Sequence, residues 1–329
     1  MRVLLFLVVA IQMLTVHAAA ADCAGTNLLQ AMPEQDRARL EQAAAAQPFH
    51  SGNFWRATKD GKEVILVGTY HLNDPRHAAT LEAVAPFIAE SQTVLVEAGP
   101  DEEMALMAEA SKNPGLFVMT DSSLPTLMDA QEWQRLSAAM QRRGIPGFMA
   151  AKFQPWYITV MLAIPPCMMA QFDGQKGLDG LIIQYAKDKD RPIRALEPYD
   201  TVFKLFKGMT REEQVAMIRS SLAIEDQAED YMATLADSYF AGQSRLIWEL
   251  MRQLSLNLPG YTVAQVEADL ARMEQALLIS RNTSWIPVIE AAAETGPVFA
   301  AFGALHLPGK YGIPYLLQQQ GWTMTPLFP

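Results

Sequence analysis

The chain has 329 residues, of which 50% are hydrophobic and 19% are charged, and its formal net charge at pH 7 is −10. This composition excludes an intrinsically disordered chain, a collagen-like fibre and a small disulfide-stabilised scaffold. Contacts to phosphate require clustered Lys and Arg, and the sequence has no such cluster, so we expect no nucleic-acid partner.

The beginning of the chain is typical of a secretory signal peptide. Arg2 precedes an apolar run over residues 3–16, and the small residues 18–21 offer cleavage sites. The run is shorter than the roughly 20 apolar residues that span a membrane as a helix. We therefore predict a signal peptide over residues 1–20, export to a periplasmic or extracellular location, and a mature chain without a transmembrane span. An uncleaved N-terminal anchor is the alternative.

Two cysteines, Cys23 and Cys167, are present. Because exported proteins mature in an oxidising compartment, we predict a disulfide between them that fixes the N-terminal arm to the body of the protein. Two unrelated thiols, one exposed and one buried, are the alternative. The sequence has no C-x-x-C motif, which argues against a redox-catalytic pair.

The body of the chain predicts alternating helices and strands. An Asp60-Gly61 turn between the apolar runs 54–57 and 64–67 indicates a β-hairpin. The spacing of apolar residues predicts helices at 29–47, 75–91, 101–110, 125–143, 177–190, 210–254, 263–279 and 312–320. Short apolar runs predict strands at 93–96, 192–196 and 297–302, and the Met-rich stretch 156–170 is expected to break at Pro165-Pro166.

The alternation of these elements favours an α/β fold. We expect a mixed central sheet flanked by helices, in a single domain over residues 21–329. A helical insertion, roughly residues 148–279, is expected to cover part of a cleft at the carboxyl ends of the strands. The last predicted strand should then return to the sheet formed by the first ones.

The same phrase, G-x-x-H-L, follows the first and the last core strand, at 68–72 and at 303–307. Glu97 and Glu197 directly follow the two strands between them. Because ligands of open α/β sheets bind outside the carboxyl ends of the strands, we expect His71, Glu97, Glu197 and His306 at one rim. Each histidine could instead cap its strand by bonding a backbone carbonyl, but the repeated position favours function.

The remaining histidines and a neighbouring tyrosine are interpreted as structural. His77 is predicted to be a surface residue at the beginning of a helix. His50 has no evident partner, and Tyr70 is expected to pack in the core because side chains alternate along a strand.

Two imidazoles and a carboxylate form a set that binds a divalent ion and leaves positions open for water. Such an ion lowers the pKa of bound water and polarises a carbonyl group. A metal-free alternative uses one histidine as general base and Glu97 as the residue that orients it. The sequence lacks H-E-x-x-H, G-x-S-x-G and Walker motifs, so it gives no support to those classes of enzyme.

The chain resembles the TraB/GumN family, which is related to the Tiki membrane-associated metalloproteases and to pheromone-shutdown proteins. The matching phrases are Cys23-Ala24-Gly25, Val67 to Leu72, Leu95-Val96-Glu97, Gly177-Leu178-Asp179, Leu196-Glu197, Arg281-Asn282 with Trp285, Phe302 to Gly309, and Leu316-Leu317 to Gly321-Trp322. They cover nearly the whole mature chain in order.

The resemblance implies an α/β fold shared with erythromycin esterase and the haem-binding protein ChaN. It also implies peptide-bond cleavage with a divalent metal, Mn, Co or Zn, held by His71, Glu97 and His306. The partner would then be a peptide or a small amide substrate. A non-catalytic protein that binds a peptide or haem is the alternative.

Arg281 and Asn282 form another phrase of the resemblance. Arg281 could hold a substrate carboxylate or stabilise an oxyanion, with Asn282 beside it as a substrate-binding residue. Alternatively, Arg281 is an ordinary surface residue of a helix and Asn282 an ordinary cap-forming asparagine. Glu97 is expected to be a ligand or a general base, with a buried structural acid as the alternative, and Glu197 is expected to be structural.

Overall fold

The computed structural model describes residues 23–171, 176–257 and 261–328, so the predicted signal peptide lies outside the described residues. Within these ranges, no helix has both the length and the apolar character needed to cross a membrane.

A six-stranded mixed sheet forms the centre of the fold. Its strands in chain order are β1 (Phe54–Lys59), β2 (Lys62–Thr69), β3 (Thr93–Val96), β4 (Ile193–Ala195), β5 (Val298–Gly303) and β6 (Thr323–Pro326). Their order across the sheet is β4-β3-β5-β2-β1-β6. The four strands from β4 to β2 are parallel, and β1 pairs antiparallel with both β2 and β6. The predicted α/β fold with a mixed sheet is therefore confirmed, and the last core strand, β5, lies between β3 and β2.

The predicted hairpin is formed by β1 and β2. Asp60 and Gly61 have φ angles of 49° and 79°, as a two-residue turn with both central residues in the left-handed region requires. The turn sets the register in which Phe54 pairs with Val67.

The described ranges contain sixteen α-helices. They are α1 (Leu28–Ala31), α2 (Glu34–Ala45), α3 (His77–Glu90), α4 (Pro100–Lys112), α5 (Leu124–Leu127), α6 (Ala130–Arg142), α7 (Gly147–Ala150), α8 (Pro155–Leu162), α9 (Leu178–Asp188), α10 (Thr201–Lys207), α11 (Arg211–Ala223), α12 (Ala228–Phe240), α13 (Ser244–Leu256), α14 (Val263–Glu274), α15 (Ser280–Ala293) and α16 (Ile313–Gln319). A π-helical turn, Gln275–Ile279, joins α14 to α15.

Several predicted helices are divided in the structure, for local reasons. Pro33 separates α1 from α2, because proline is accommodated at the beginning of a helix and not in its interior. Asp129 caps α6 by accepting hydrogen bonds from the next helical turn, which separates α6 from α5. The range 210–254 contains three helices, and the range 148–279 contains β4 between two runs of helices.

Two apolar clusters cover the two faces of the sheet, because alternate side chains of each strand point to opposite faces. On one face, Leu66 and Ala300 pack with Trp285 of α15. On the other face, Ile65 and Phe299 pack against the helices α3, α9 and α12. A third cluster lies among the helices α5, α6, α8 and α11, away from the sheet.

The predicted disulfide is present. Cys23 and Cys167 are bonded, with their Cα atoms 5.4 Å apart. The arm that follows Cys23 is fixed to α12, where Leu28 N–H donates to Thr234 at 2.8 Å and Asn27 donates to Asp237 at 3.0 Å.

Candidate functional site

Parallel pairing brings the ends of four strands to one edge of the sheet. Thr69 at the end of β2 pairs with Gly303 at the end of β5. Val96 at the end of β3 pairs with Ala301 on one side and with Ala195 of β4 on the other. The residues that follow these strands therefore emerge together. They are His71, Glu97, Glu197 and His306.

His71 is held from one side by a carboxylate. Its Nδ1 lies 2.8 Å from Asp179 Oδ2, and the hydroxyl of Thr69 donates to the other oxygen of Asp179 at 2.5 Å. The His71 side chain is 62% exposed. The negative charge of Asp179 raises the pKa of His71 to about 9, with a further contribution from Glu97. In the metal-free protein, His71 is thus a cation at neutral pH.

Glu97 lies at the centre of the site. The backbone N–H of Gly303 donates to its Oε1 at 2.5 Å, and Arg281 donates to its Oε2 at 2.6 Å. Burial alone would raise the pKa of Glu97, but His306, which is protonated only in acid, the positive charges of His71 and Arg281, and the Gly303 N–H hold it at about 2. The carboxylate is therefore ionised at neutral pH.

Gly303 leaves the space in which the groups of the site meet. A Cβ atom at this position would lie 3.0 Å from His71 Nε2 and 3.2 Å from Glu97 Oε1. Both atoms therefore face the same small volume, which a side chain at position 303 would fill.

His306 is buried and has a defined tautomer. The amide nitrogen of Asn282 donates to two carbonyl oxygens, those of Tyr311 at 2.8 Å and of His306 itself at 3.3 Å, so the amide oxygen faces His306 Nδ1 at 2.5 Å. Because this oxygen accepts, Nδ1 carries the proton and Nε2 carries the lone pair. Burial lowers the pKa of His306 to about 4, and its ring packs on Trp285 with the centroids 4.5 Å apart.

Arg281 connects the carboxylates with His306. It donates two hydrogen bonds to Glu197, of 2.7 and 2.8 Å, and one to Glu97. Its Nη1 lies 3.2 Å from His306 Nε2. Trp285 supports this arrangement, since its Nε1 donates to Glu197 at 3.1 Å and its ring lies 4.8 Å from the guanidinium. The Arg281 side chain is 12% exposed.

The donor set suits a divalent metal ion in its chemistry. His71 Nε2 and Glu97 Oε1 face the same volume beside Gly303, and His306 Nε2 lies 3.8 Å from Glu97 Oε1; imidazole nitrogens and a carboxylate are ligands of such ions. In the described ranges, no group of three or more His, Cys, Asp or Glu side chains has an arrangement that could hold a metal ion. The guanidinium of Arg281 holds two of the three groups, Glu97 and His306. An ion would have to replace these contacts.

The structure brings together most of the residues that the sequence proposed. Glu97, His306, Arg281 and Asn282 form one connected network, to which Glu197 belongs through Arg281. His71 Nε2 faces the volume beside Gly303 that Glu97 Oε1 also faces. Asn282 is 1% exposed, and its amide is fully engaged with His306 and Tyr311, so its contacts are those of a positioning residue.

The interpretation of His77 as a surface residue was wrong. His77 is 1% exposed and lies among Tyr70, Tyr239 and Phe240, and its Nε2 donates to the Leu72 carbonyl at 2.9 Å. Tyr70 is buried in this cluster, as expected.

Asp179 is the residue of the site to which the sequence assigned no role. It lies in the first turn of α9, where an acidic residue ordinarily balances the helix dipole, so its type gave no specific signal. Its phrase, Gly177-Leu178-Asp179, was noted only as part of the family resemblance.

A separate cavity of about 490 Å³ lies along β4 and the first turn of α4. Lys187, Arg191 and Arg194 line it together with Asp101 and Glu102. None of the side chains of the strand-end site reaches it, so the candidate site is assigned from its chemistry and not from the size of a cavity.

Comparison with known proteins identifies the family of the chain. Residues 53–326 match the model of the TraB/PrgY/gumN family. The chain belongs to this family. It is 22% identical over 257 residues to the uncharacterized protein YbaP of Escherichia coli (strain K12), covering 77% of this chain and 87% of that protein. The same figures hold for YbaP of Shigella flexneri.

Proposed function

We propose that this protein is an exported hydrolase that cleaves a peptide or another amide bond and uses a divalent metal ion held by His71, Glu97 and His306. One observation carries the proposal. In both histidines Nδ1 contacts a side-chain oxygen, of Asp179 and of Asn282, while Nε2 faces Glu97. Metal-binding histidines in proteins have this arrangement, because the second ring nitrogen is fixed by a hydrogen-bond acceptor.

The ion, when bound, would supply a water molecule of lowered pKa and would polarise the carbonyl group of the substrate. The residues of the chain provide what surrounds it. Glu97 is ionised and carries the charge that a ligand or a general base needs. Asn282 holds His306 as the Nδ1–H tautomer, so that the lone pair of Nε2 could bind a metal ion.

Arg281 has two parts in this proposal. In the metal-free protein its guanidinium compensates the charges of Glu97 and Glu197. If Glu97 and His306 held an ion, the bidentate contact with Glu197 would keep Arg281 at the border of the site. There its remaining N–H groups can stabilise negative charge that develops on a substrate oxygen.

Export is supported by the disulfide between Cys23 and Cys167, which forms and persists in oxidising compartments. The signal-like segment over residues 1–20 of the sequence agrees with it.

The experiment is a cleavage assay on a mixture of defined peptides, read by mass spectrometry as new peptide termini. The mature wild-type chain is compared with Glu97→Gln and with Glu82→Gln, a control at an exposed position of α3. We expect wild type and Glu82→Gln to cleave with Mn²⁺ or Co²⁺ and to lose cleavage with a chelator, and Glu97→Gln to be inactive. Peptide binding without cleavage, unchanged in His71→Ala and His306→Ala, would instead identify a non-catalytic binding protein.

A further inference from the structure

We infer that Asp179 is a positioning residue that fixes the ring of His71 in the candidate site. The inference deepens the proposed function and rests on it only for the part that concerns the metal ion. Asp179 belongs to a different segment of the chain from every residue that the sequence placed in the site, 108 positions after His71.

The contact is built from both sides of the carboxylate. One oxygen of Asp179 lies 2.8 Å from His71 Nδ1, and the other accepts from the Thr69 hydroxyl at 2.5 Å. Thr69 ends β2, so Asp179 is connected to the strand from which His71 emerges. A carboxylate held at both oxygens cannot rotate without losing one hydrogen bond, and this transmits the rigidity of the strand to the ring.

The backbone around Asp179 is held equally closely. Leu178 N–H donates to the carbonyl of Tyr70 at 3.0 Å. A Cβ atom at Gly177 would lie 2.1 Å from the carbonyl oxygen of His71, so only glycine permits this approach. Leu178 is completely buried in the cluster beneath the sheet. The beginning of α9 is thus fixed against the residues next to His71. Asp179 lies in this first turn, so its position relative to His71 is fixed as well.

His71 needs this support more than His306 does. His306 is buried, packs on Trp285 and is held by Asn282. The side chain of His71 is 62% exposed, and solvent does not restrict its rotation. With Nδ1 fixed by Asp179, Nε2 faces the volume that it shares with Glu97 Oε1. Loss of the carboxylate would let the ring turn away and would lower the basicity of a nitrogen that binds a metal.

The test compares the mature wild-type protein with Asp179→Ala, Asp179→Asn and Asp188→Asn. Asp188 is the matched control, since it is an exposed aspartate on the same helix. The first measurement is the ¹H–¹⁵N spectrum of the histidine rings in metal-free protein, in which His71→Gln identifies the Nδ1–H resonance of His71. The second is the affinity for Mn²⁺ by calorimetry.

We expect the Nδ1–H resonance of His71 in wild type and in Asp188→Asn, and its loss in Asp179→Ala. We expect Mn²⁺ affinity to fall by about 10- to 100-fold in Asp179→Ala. Asp179→Asn should lose less, because its amide oxygen can still accept from Nδ1. If Asp179 had only a structural role, Mn²⁺ affinity would not decrease in the order wild type, Asp179→Asn, Asp179→Ala among samples that are folded to the same extent.

An unchanged His71 resonance in Asp179→Ala would overturn the inference, as would an unchanged Mn²⁺ affinity in a protein that binds the ion. If wild type binds no Mn²⁺, the metal-dependent function fails, and the ring spectrum alone decides whether Asp179 positions His71. If Asp179→Ala does not fold, Asp179→Asn supplies both measurements.

Discussion

Arg281 donates a hydrogen bond of 2.6 Å to Glu97, and both side chains are largely removed from solvent. The guanidinium thereby places a positive charge beside the carboxylate that we assign to metal binding. A divalent ion and Arg281 would compete for the Glu97 carboxylate and for His306 Nε2, while two hydrogen bonds to Glu197 hold the arginine in place. In the metal-free protein, the positive charge of Arg281 thus compensates the negative charges of Glu97 and Glu197.

Replacement of Arg281 by methionine should destabilise the metal-free protein by about 3 kcal/mol, because Glu97 and Glu197 would remain buried without their partner. Addition of Mn²⁺ should restore part of this loss, since the ion supplies the missing charge and binds the folded state. Urea unfolding with and without Mn²⁺ measures both effects. Arg272→Met, at an exposed position of α14, is the control. Equal stability of the Arg281 variant and wild type would show that the ion pairs of Arg281 with Glu97 and Glu197 contribute nothing to stability.

Glu97→Gln preserves size and the acceptor for the Gly303 N–H but removes the charge. We expect hydrolysis to fall by about 100-fold or more, with the fold intact, because both a ligand and a general base require the carboxylate. Peptide cleavage and the melting temperature are measured together. A concurrent loss of bound metal favours a ligand, and retained metal favours a base. Full activity with an altered melting temperature would make Glu97 a structural acid.

Asn282→Ala should lower the free energy of unfolding by about 3 kcal/mol, because two carbonyl groups and His306 Nδ1 would lose their partner in a buried place. Urea unfolding gives the value. Thr283→Ala, one residue further along α15 and exposed, is the control and should differ little from wild type. A loss equal to that of the control would mean that water or a neighbouring group takes over these hydrogen bonds.

The stability of the metal-free protein should depend on pH through His71. Its pKa is raised from 6.5 to about 9 by Asp179, so the folded state binds the proton more tightly than the unfolded chain. The resulting stabilisation is complete below pH 6.5 and is lost as pH rises through 9. Because the side chain is 62% exposed, solvent screening keeps the effect small. Melting temperatures from pH 6 to pH 10 in the presence of a chelator should fall more steeply for wild type than for His71→Gln. Parallel curves would contradict the assignment.

The double variant Cys23→Ser, Cys167→Ser should be less stable by at most about 5 kcal/mol, the loop-closure contribution for a separation of 144 residues. Reductant should lower the melting temperature of wild type toward that of the variant and leave the variant unchanged. A wild-type protein indifferent to reductant would show that the bond adds nothing to stability.

Four residues at the rim of the site could be predicted from the sequence, because each lies close to the end of a strand and this position can be recognised locally. His71, Glu97, Glu197 and His306 each follow closely after a strand, and parallel strands end at one edge. Arg281 and Asp179 reach that edge through the packing of α15 and α9, which no spacing in the sequence encodes. The family resemblance pointed to Arg281, but only the structure shows that it contacts Glu97, Glu197 and His306.

Other errors have the same origin. His77 was predicted on the surface because it begins a helix, whereas Tyr239 and Phe240 bury it from a helix far along the chain. The strand β6 was not predicted, because three of its four residues are exposed and its last residue is a proline. Its pairing with β1 comes from tertiary contact.

The most direct test of the proposed metal site is a calorimetric titration of the chelator-treated mature protein with Mn²⁺ and with Co²⁺. Wild type is compared with His71→Ala, His306→Ala and His50→Ala, the last an exposed histidine outside the site. The account predicts one ion per chain for wild type and His50→Ala, and binding weakened or abolished in the other two. Absence of binding to wild type, or equal binding by all four proteins, would contradict it.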